Sequence, residues 1–160
     1  MLPTPPEGLR HWGPDDAPAL EAAWADPEIA RWNPPPDGLD AATWIAATEQ
    51  RWARRLALDL VITPGVAGEV GLSSFTTDPA RAELGVWVAA PHRRTGVARR
   101  SVEAVAAWAL DPDGLALDQL WARTDPANVA AEALFDRLGW DRLGSPGGMV
   151  IWSATAAVLR

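Results

Sequence analysis

The sequence contains no cysteine, no lysine and no tyrosine, and it has only two histidines, His11 and His92. Without cysteine there are no disulfide bonds, no thiolate nucleophile and no cysteine-ligated zinc site. Two histidines are too few for a histidine-rich metal cluster, so we expect no metal. The lack of tyrosine also removes the phenol group from the possible general acids.

Positive charge and long apolar runs are also scarce. The chain carries 14 basic residues against 21 acidic ones, a formal net charge of -7 at pH 7. Nucleic acids and anionic membranes bind basic surfaces, so we expect neither as a partner. No apolar run approaches the roughly 18 residues of a membrane span, and the first residues lack the basic and apolar regions of a signal peptide. We therefore expect a cytoplasmic protein.

The remaining composition is that of a folded domain. The 160 residues are 48% hydrophobic and 22% charged, which is typical of one globular domain and unlike a disordered chain. A chain of this length buries about 70% of the surface that its unfolded form exposes. We therefore expect a single domain over residues 1–160.

The spacing of apolar residues predicts the order of helices and strands. An edge strand at residues 9–12 precedes two helices, one capped by Asp15 and Asp16 and one capped by Asp40 and carrying Trp44, Ile45, Thr48 and Trp52. From Leu56 onward, the spacing of apolar residues changes from the 3.6-residue period of a helix to the two-residue period of a strand. The predicted later elements are strands at 56–63, 69–75 and 82–88, a helix at 97–110, a strand at 115–123, a helix at 125–138 and a strand at 149–154. This order predicts a mixed α/β layer structure around one sheet.

The segment from Gly85 to Ser101 passes from strand through loop into helix and contains Arg93-x-x-Gly96-x-Ala98. Free amides and the helix dipole at a helix N-terminus favour an anion, and glycine permits close backbone approach. Four arginines lie in this segment: Arg93, Arg94, Arg99 and Arg100. The pattern favours a diphosphate ligand, and a solvated loop before a helix is the alternative interpretation.

This pattern resembles the acyl-CoA-binding motif of the GNAT superfamily of N-acetyltransferases, in which Arg/Gln-x-x-Gly-x-Gly/Ala holds the pyrophosphate of acetyl-CoA. Other segments resemble the same family in the same order, in particular the branch that acetylates ribosomal-protein N-termini: residues 9–12, 14–17, 26–32, 82–88, 125–128 and 134–140. The resemblance covers about residues 9–153. It implies the GNAT fold, an α/β (α+β) structure with a mixed, mostly antiparallel central sheet flanked by helices.

The resemblance also implies where acetyl-CoA, the expected cosubstrate, binds. The fourth and fifth strands would diverge, and the pantetheine arm would bond to the backbone near Val86 and Val88. Asn128 would also bond to the pantetheine, with a helix cap or turn role as the alternative. The pyrophosphate would lie on the loop and first helical turn, formed by Arg93, Arg94, Thr95, Gly96, Val97, Ala98 and Arg99.

Glu83 is the candidate general base. Strand alternation places it on the face that carries Gly85 and Trp87, where the missing side chain of Gly85 would let a substrate approach. A carboxylate paired with Arg81 or Arg123 at the strand surface is the alternative. A backbone amide near Val88 would then serve as the oxyanion donor.

The residues expected to donate a proton to the leaving thiolate are missing. Phe135 stands where the family often has tyrosine, and Ala131 stands where the ribosomal branch can use serine. Water, Thr124 or Ser145 could donate instead, and the sequence selects none of them. Arg94 also stands where a glycine is usual.

The tryptophans complete the prediction. We interpret Trp24, Trp52, Trp108 and Trp121 as core residues. Trp32 and Trp44 lie on the early helices that usually wall the acceptor site in this family. The expected activity is direct transfer of acetyl from acetyl-CoA to a primary amine, either a protein N-terminus or a small amine, and a homodimer is compatible with it. The alternative is a CoA-binding sensor with little transferase activity.

Overall fold

The structure, a computed structural model, describes residues 1–159. Its strands are Leu9–His11 (β1), Ala57–Ile62 (β2), Gly68–Thr77 (β3), Ala80–Val88 (β4), Gln119–Thr124 (β5), Asp141–Gly144 (β6) and Val150–Ala154 (β7). Its α-helices are Ala17–Ala25 (α1), Pro27–Trp32 (α2), Ala41–Ala46 (α3), Thr48–Ala53 (α4), Val97–Leu110 (α5) and Val129–Arg137 (α6).

The seven strands of these residues form one sheet in the order β1-β2-β3-β4-β5-β7-β6. All neighbouring strands are antiparallel except β4 and β5, which are parallel. Helices cover both faces of the sheet. The predicted fold class, a mixed and mostly antiparallel sheet flanked by helices, is therefore confirmed.

The two faces of the sheet bury different apolar clusters, because successive residues of a strand point to opposite sides. One cluster packs under α5 and α6 and includes Leu60, Leu72, Val102, Val105 and Phe135. The other packs under α1 to α3, and its buried members are Trp12, Leu20, Ala23, Ile29, Ala41, Ile45, Val61 and Trp87. Leu84 and Phe135 of the first cluster line one of the two cavities described below, and Trp87 of the second cluster lines the other.

In the first half of the chain, one predicted helix cap is present and the other is not. Asp40 caps α3 as expected, since its carboxylate accepts a hydrogen bond from Thr43 N at 2.7 Å. Asp16 does not cap α1 with its side chain; its carboxylate instead accepts bonds from Gly13 N at 2.8 Å and from Arg10 Nη1 at 2.6 Å. The Asp16 carboxylate oxygens that could cap α1 are therefore already bonded to Arg10.

The predicted long helix after Asp40 is wrong, because the chain forms two short helices that meet at Ala47. The Thr48 hydroxyl donates to the Ile45 carbonyl at 2.7 Å, and Arg51 Nη1 donates to the Trp44 carbonyl at 2.5 Å. These side chains satisfy carbonyls at the end of α3, and such local side-chain bonds compete with helix continuation.

The second half departs at element boundaries. Strand β5 begins at Gln119 and not at Leu115, because Leu115 N and Leu117 N bond back to carbonyls of α5. Helix α6 begins at Val129, after a turn in which the Asp125 side chain accepts from Ala127 N at 2.8 Å. The edge strand β6 was not predicted, and all of its residues are exposed. With no buried face, it lacks the alternating pattern by which strands are recognised.

Candidate functional site

Strands β4 and β5 pair over only three residues and then diverge. Arg81–Glu83 pair with Gln119–Trp121, and no pairs follow. A cavity of about 250 Å³ opens where the strands separate. Its lining residues are Arg31, Trp32, Asn33, Leu84, Gly85, Val86, Arg123, Thr124, Asp125, Asn128, Ala131, Phe135 and Met149. The structure thus places Val86, Asn128 and Trp32 of the predicted site around one opening, whereas Val88 does not line it.

The N-terminus of α5 is the second part of the site. Gly96 precedes the helix with a φ of 77°, a left-handed conformation that favours glycine. The first backbone bond of the helix runs from Arg100 N to Gly96 O, so the amides of the first turn have no helical acceptor. Arg94 is also left-handed, with a φ of 61°, which accounts physically for the glycine usual at this position.

Two arginines of this segment, Arg93 and Arg99, already form ion pairs with carboxylates of the protein. Arg93 Nη2 lies 3.0 Å from an Asp26 carboxylate oxygen, and Arg93 Nε donates to the Val88 carbonyl at 3.2 Å. Arg99 pairs with Glu103 at 3.0 Å, one turn further along the helix. Arg93 therefore joins the loop to the start of α2 and to the end of β4.

Two further polar side chains shape the loop between β4 and α5. Arg100 Nη1 donates to the Thr95 carbonyl at 3.0 Å, and the Thr95 hydroxyl donates to the His92 carbonyl at 2.6 Å. The Thr95 hydroxyl is thus engaged by the loop itself. The exposed side chain of Arg94 lies on the same loop.

Asn128 lies where it can fill both of the roles considered for it, a helix cap and a contact to the pantetheine arm. Its side-chain oxygen caps α6 by accepting a hydrogen bond from Ala131 N at 3.2 Å, and the residue also lines the cavity between β4 and β5. The cap holds the oxygen in place, and the amide nitrogen has two donor hydrogens of its own.

Glu83 is partly buried and already has polar partners. An Arg123 guanidinium nitrogen lies 3.3 Å from Oε1, with the Glu83 side chain 18% exposed, and the Ser74 hydroxyl donates to Oε2 at 3.4 Å. The pairing with Arg123 that the sequence left as an alternative is therefore present. A substrate amine would have to compete with this guanidinium for the carboxylate.

The two positions at which the family has a general acid, 131 and 135, lie at the cavity wall. Ala131 and Phe135 both line it, and the Phe135 ring packs on Trp140 and Trp152 with centroid distances of 4.9 Å and 6.1 Å. The Thr124 hydroxyl donates to Glu132 and accepts from Trp152 Nε1 at 2.9 Å. This hydroxyl is thus already engaged, and Ser145 is exposed beside β6.

A second pocket, of about 320 Å³, adjoins the first, and Asn33 lines both. We call it the tryptophan pocket; it is lined by Trp24, Asn33, Pro34, Pro36, Trp44, Glu69 and Trp87. The two tryptophans that the sequence assigned to an acceptor site are therefore divided, with Trp32 at the first cavity and Trp44 at the second.

Glu69 is the residue of this pocket that sequence reasoning missed. Its carboxylate oxygens accept hydrogen bonds from Trp12 Nε1 at 2.9 Å and from Trp87 Nε1 at 3.2 Å. Burial, and then the nearby Asp59, raise the pKa of Glu69 to about 8, against the indole donors that lower it. The available signal was an acidic residue next to the hairpin turn, on a strand whose alternate positions 70 and 72 are apolar.

Asp59 is the neighbouring acid. Burial raises the pKa of its carboxyl to about 6, although the Arg51 guanidinium, 3.5 Å away, favours the charged form. Arg51 also lies over the Trp44 ring, 3.9 Å from its centroid. Glu69, which lines the tryptophan pocket, thus has a second carboxyl group and a guanidinium close to it, and neither of these lines the pocket.

Residues 8–141 match the family model of the acetyltransferase (GNAT) domain. The chain belongs to the GNAT family. This membership confirms the family named from the sequence and the enzyme class, an acyl-CoA-dependent N-acetyltransferase. No curated protein matches the chain in sequence.

Solved structures share this GNAT fold at low sequence identity. RimJ of Mycobacterium smegmatis, in complex with CoA-disulfide, has 18% identity and a TM-score of 0.78, with 93% of this chain and 81% of that chain covered. Spermidine N-acetyltransferase of Vibrio cholerae, in complex with CoA and spermine, has 14% identity and a TM-score of 0.80, with 94% and 96% covered. The ribosomal-protein-S5-alanine acetyltransferase of Vibrio fischeri has 17% identity and a TM-score of 0.78, with 97% of each chain covered.

Residues 1–159 show neither a membrane span nor a metal cluster. No helix there combines the length and the apolar character that a membrane span requires. Nor does this part of the chain bring three or more histidine, aspartate or glutamate side chains together as a metal site.

Proposed function

We propose that this GNAT enzyme transfers acetyl from acetyl-CoA to a primary amine by direct attack of the amine on the thioester. The observation that carries the proposal is the divergence of β4 from β5 beside the N-terminus of α5. An unpaired strand edge and a turn of unpaired amides together suit a ligand that has an amide-containing arm and a diphosphate.

Acetyl-CoA fits this arrangement in one orientation. The diphosphate would accept hydrogen bonds from the amides between Arg94 and Ala98, with Arg99 at the same helix end. The pantetheine arm would run along β4 near Val86 and Val88 toward Asn128. The thioester would then lie in the 250 Å³ cavity, beside the backbone of Gly85.

The reaction itself needs one bond to form and one to break. The neutral amine nitrogen attacks the thioester carbonyl carbon, a C–N bond forms, and the C–S bond breaks as the thiolate leaves. The amine loses one proton and the CoA thiolate gains one, so no oxidant or further reactant is required. A backbone amide near Val88 would donate to the carbonyl oxygen as its negative charge develops.

Glu83 is our proposal for the group that accepts the amine proton, directly or through water. It lies on the same sheet face as Gly85, whose missing side chain leaves open space above the strand. With alanine at 131 and phenylalanine at 135, water is the proton donor that we propose for the thiolate. A thiol is a good enough leaving group for this to suffice.

The acceptor is a protein N-terminus or a small amine. Solved structures of both kinds of enzyme, the ribosomal-protein acetyltransferase and the spermidine acetyltransferase, share the fold. We further propose that the enzyme acts in the cytoplasm, and the homodimer stays a prediction.

A Glu83→Gln variant tests the mechanism. Turnover should fall by about 10²–10⁴, the usual contribution of general base catalysis, while the Kd of CoA measured by calorimetry stays within about twofold. Arg123→Gln is the matched control, because it removes the ion-pair partner and keeps the carboxylate. Retained turnover and an unshifted pH profile in Glu83→Gln would place the base elsewhere.

One observation favours a second candidate function, a CoA-binding sensor. No donor of the family pattern is present at positions 131 and 135, and the Thr124 hydroxyl is bonded to Glu132. A sensor would bind CoA with the same loop and release no thiol when amines are added. Amine-dependent thiol release therefore separates the two functions.

A further inference from the structure

Glu69 is a carboxylate enclosed by indole rings. Both oxygens accept bonds from indole nitrogens, those of Trp12 and Trp87, and the carboxylate still lines the tryptophan pocket. Oε1 lies 3.9 Å from where a side chain at Gly71 would begin. Glu69 therefore leans along β3 over a glycine, and Gly71 is directly paired with Gly85 of the neighbouring cavity.

The charged groups close to Glu69 leave a net negative charge beside the pocket when both carboxyl groups are ionised. They are Asp59 on β2, beside Gly71, and Arg51 on α4. Two carboxylates and one guanidinium sum to one uncompensated negative charge. An ionised buried carboxylate needs a counter-charge, and a cationic ligand would supply it.

The walls of the pocket are suited to the same ligand. Trp24, Trp44 and Trp87 line it, and the rings of Trp24 and Trp44 meet edge to face with centroids 6.0 Å apart. Indole faces attract ammonium ions, most strongly where water is excluded. The volume of about 320 Å³ is at the small end of ligand pockets, roughly 300–1,000 Å³, so the group that enters is compact.

We propose that the tryptophan pocket binds the acceptor as its alkylammonium ion, with the Glu69 carboxylate as counter-ion, before the amine gives up its proton and attacks the thioester. The inference rests on the proposed function for the identity of the ligand as the acetyl acceptor. Asn33, which lines both pockets, would lie where the bound acceptor passes toward the thioester. The ammonium has two sources, a free alkyl amine and a peptide N-terminus.

The binding should depend on pH in a specific direction. Because the pKa of Glu69 is raised to about 8, its carboxyl is mostly protonated at pH 7 in the empty pocket. A cation binds the ionised form, so it must displace a proton below pH 8. The affinity for a permanent cation should therefore rise up to about tenfold per pH unit toward pH 8 and level off above it.

Choline and 3,3-dimethylbutan-1-ol test the proposal without any turnover. They have nearly the same shape, but only choline carries a positive charge, and that charge does not titrate. By calorimetry on the wild-type enzyme at pH 8, choline should bind at least about tenfold more tightly than the neutral alcohol. Equal affinities, or choline affinity that is independent of pH from 6 to 9, would overturn the proposal.

A Glu69→Gln variant and a matched control locate the site. Glu69→Gln should lower choline affinity by about tenfold or more and remove its pH dependence, whereas Glu49→Gln, at an exposed position on α4, should leave both unchanged. Unchanged choline binding in a folded Glu69→Gln protein would show that the cation binds elsewhere. If that variant does not fold, the wild-type comparison of choline with its neutral isostere still decides.

Steady-state kinetics distinguishes this inference from the proposed function. Choline should compete with the amine substrate and not with acetyl-CoA. Choline binding without any amine-dependent thiol release would contradict the proposed function and leave the cation site standing, whereas thiol release that choline does not inhibit would contradict the acceptor site alone. Competition by a short peptide or by a diamine shows which source of ammonium the pocket accepts.

Discussion

Replacing Gly96 with valine perturbs the helix end that we assign to the diphosphate. Gly96 has a φ of 77°, and a β-carbon there would lie 3.0 Å from Arg100 Nη1. The Arg100 side chain is flexible and can shift, but it would lose its bond to the Thr95 carbonyl. The main cost therefore comes from the backbone conformation.

The magnitude follows from that conformation. A non-glycine residue in the left-handed region costs roughly 1–2 kcal/mol, and a β-branched one is among the least tolerant. If the loop leaves this conformation to relieve the strain, the amides from Arg94 to Ala98 no longer converge on one point. We expect CoA affinity to fall by about tenfold or more, which corresponds to roughly 1.4 kcal/mol.

Gly139→Val is the matched control for backbone strain. Gly139 has a φ of 72° and follows α6, and a β-carbon added to it would meet no other atom within 4 Å. Both variants should lose a similar amount of stability in urea unfolding, and only Gly96→Val should lose CoA affinity by calorimetry. Equal CoA affinity in the two variants, with both folded, would refute the assignment of the diphosphate to this loop.

Three further predictions concern the buried polar and aromatic groups. Phe135→Tyr should lower the free energy of unfolding by about 1–3 kcal/mol, because residue 135 is only 3% exposed and a new hydroxyl there lacks a partner. An unchanged melting temperature with faster turnover would show instead that the hydroxyl reaches the sulfur. Thr124→Val should lower the free energy of unfolding, measured in urea, by a similar amount, because Trp152 Nε1 loses its acceptor. An unchanged free energy of unfolding would show that water replaces the hydroxyl. Wild-type stability should fall as pH rises from about 4.5 to 8, because the raised pKa values of Asp59 and Glu69 let the folded state hold protons that the unfolded state releases, with Glu69 alone responsible above about pH 6. Glu69→Gln should flatten that slope in unfolding titrations, and parallel slopes would contradict the cause.

The sequence was most informative where one periodicity or one local motif decides the structure. Helix α5 was predicted with its observed bounds, residues 97–110, because an apolar stripe continues from a glycine N-cap to its end. Boundaries set by side-chain hydrogen bonds were missed. Thr48 and Arg51 bond to carbonyls of α3, and nothing in their spacing distinguishes this from one continuous helix.

The loop that we assign to the diphosphate could be recognised in the sequence, whereas the tryptophan pocket could not. Residues 93–98 are contiguous, so one motif indicated the loop. The tryptophan pocket brings Glu69 of β3 against Trp12 and Trp87, which are far apart in sequence, and only the register of the folded sheet brings them together. The pairing of Arg93 with Asp26 was hidden for the same reason.

Amine-dependent release of free thiol from acetyl-CoA is the most direct test of the central claim. We predict that purified enzyme releases one thiol for each N-acetylated amine formed, measured by a thiol reagent and by mass spectrometry of the product over a panel of peptides and small amines. The rate should saturate with both substrates. Tight CoA binding by calorimetry, with no thiol release above the amine-free rate for any amine, would contradict the account and favour the sensor.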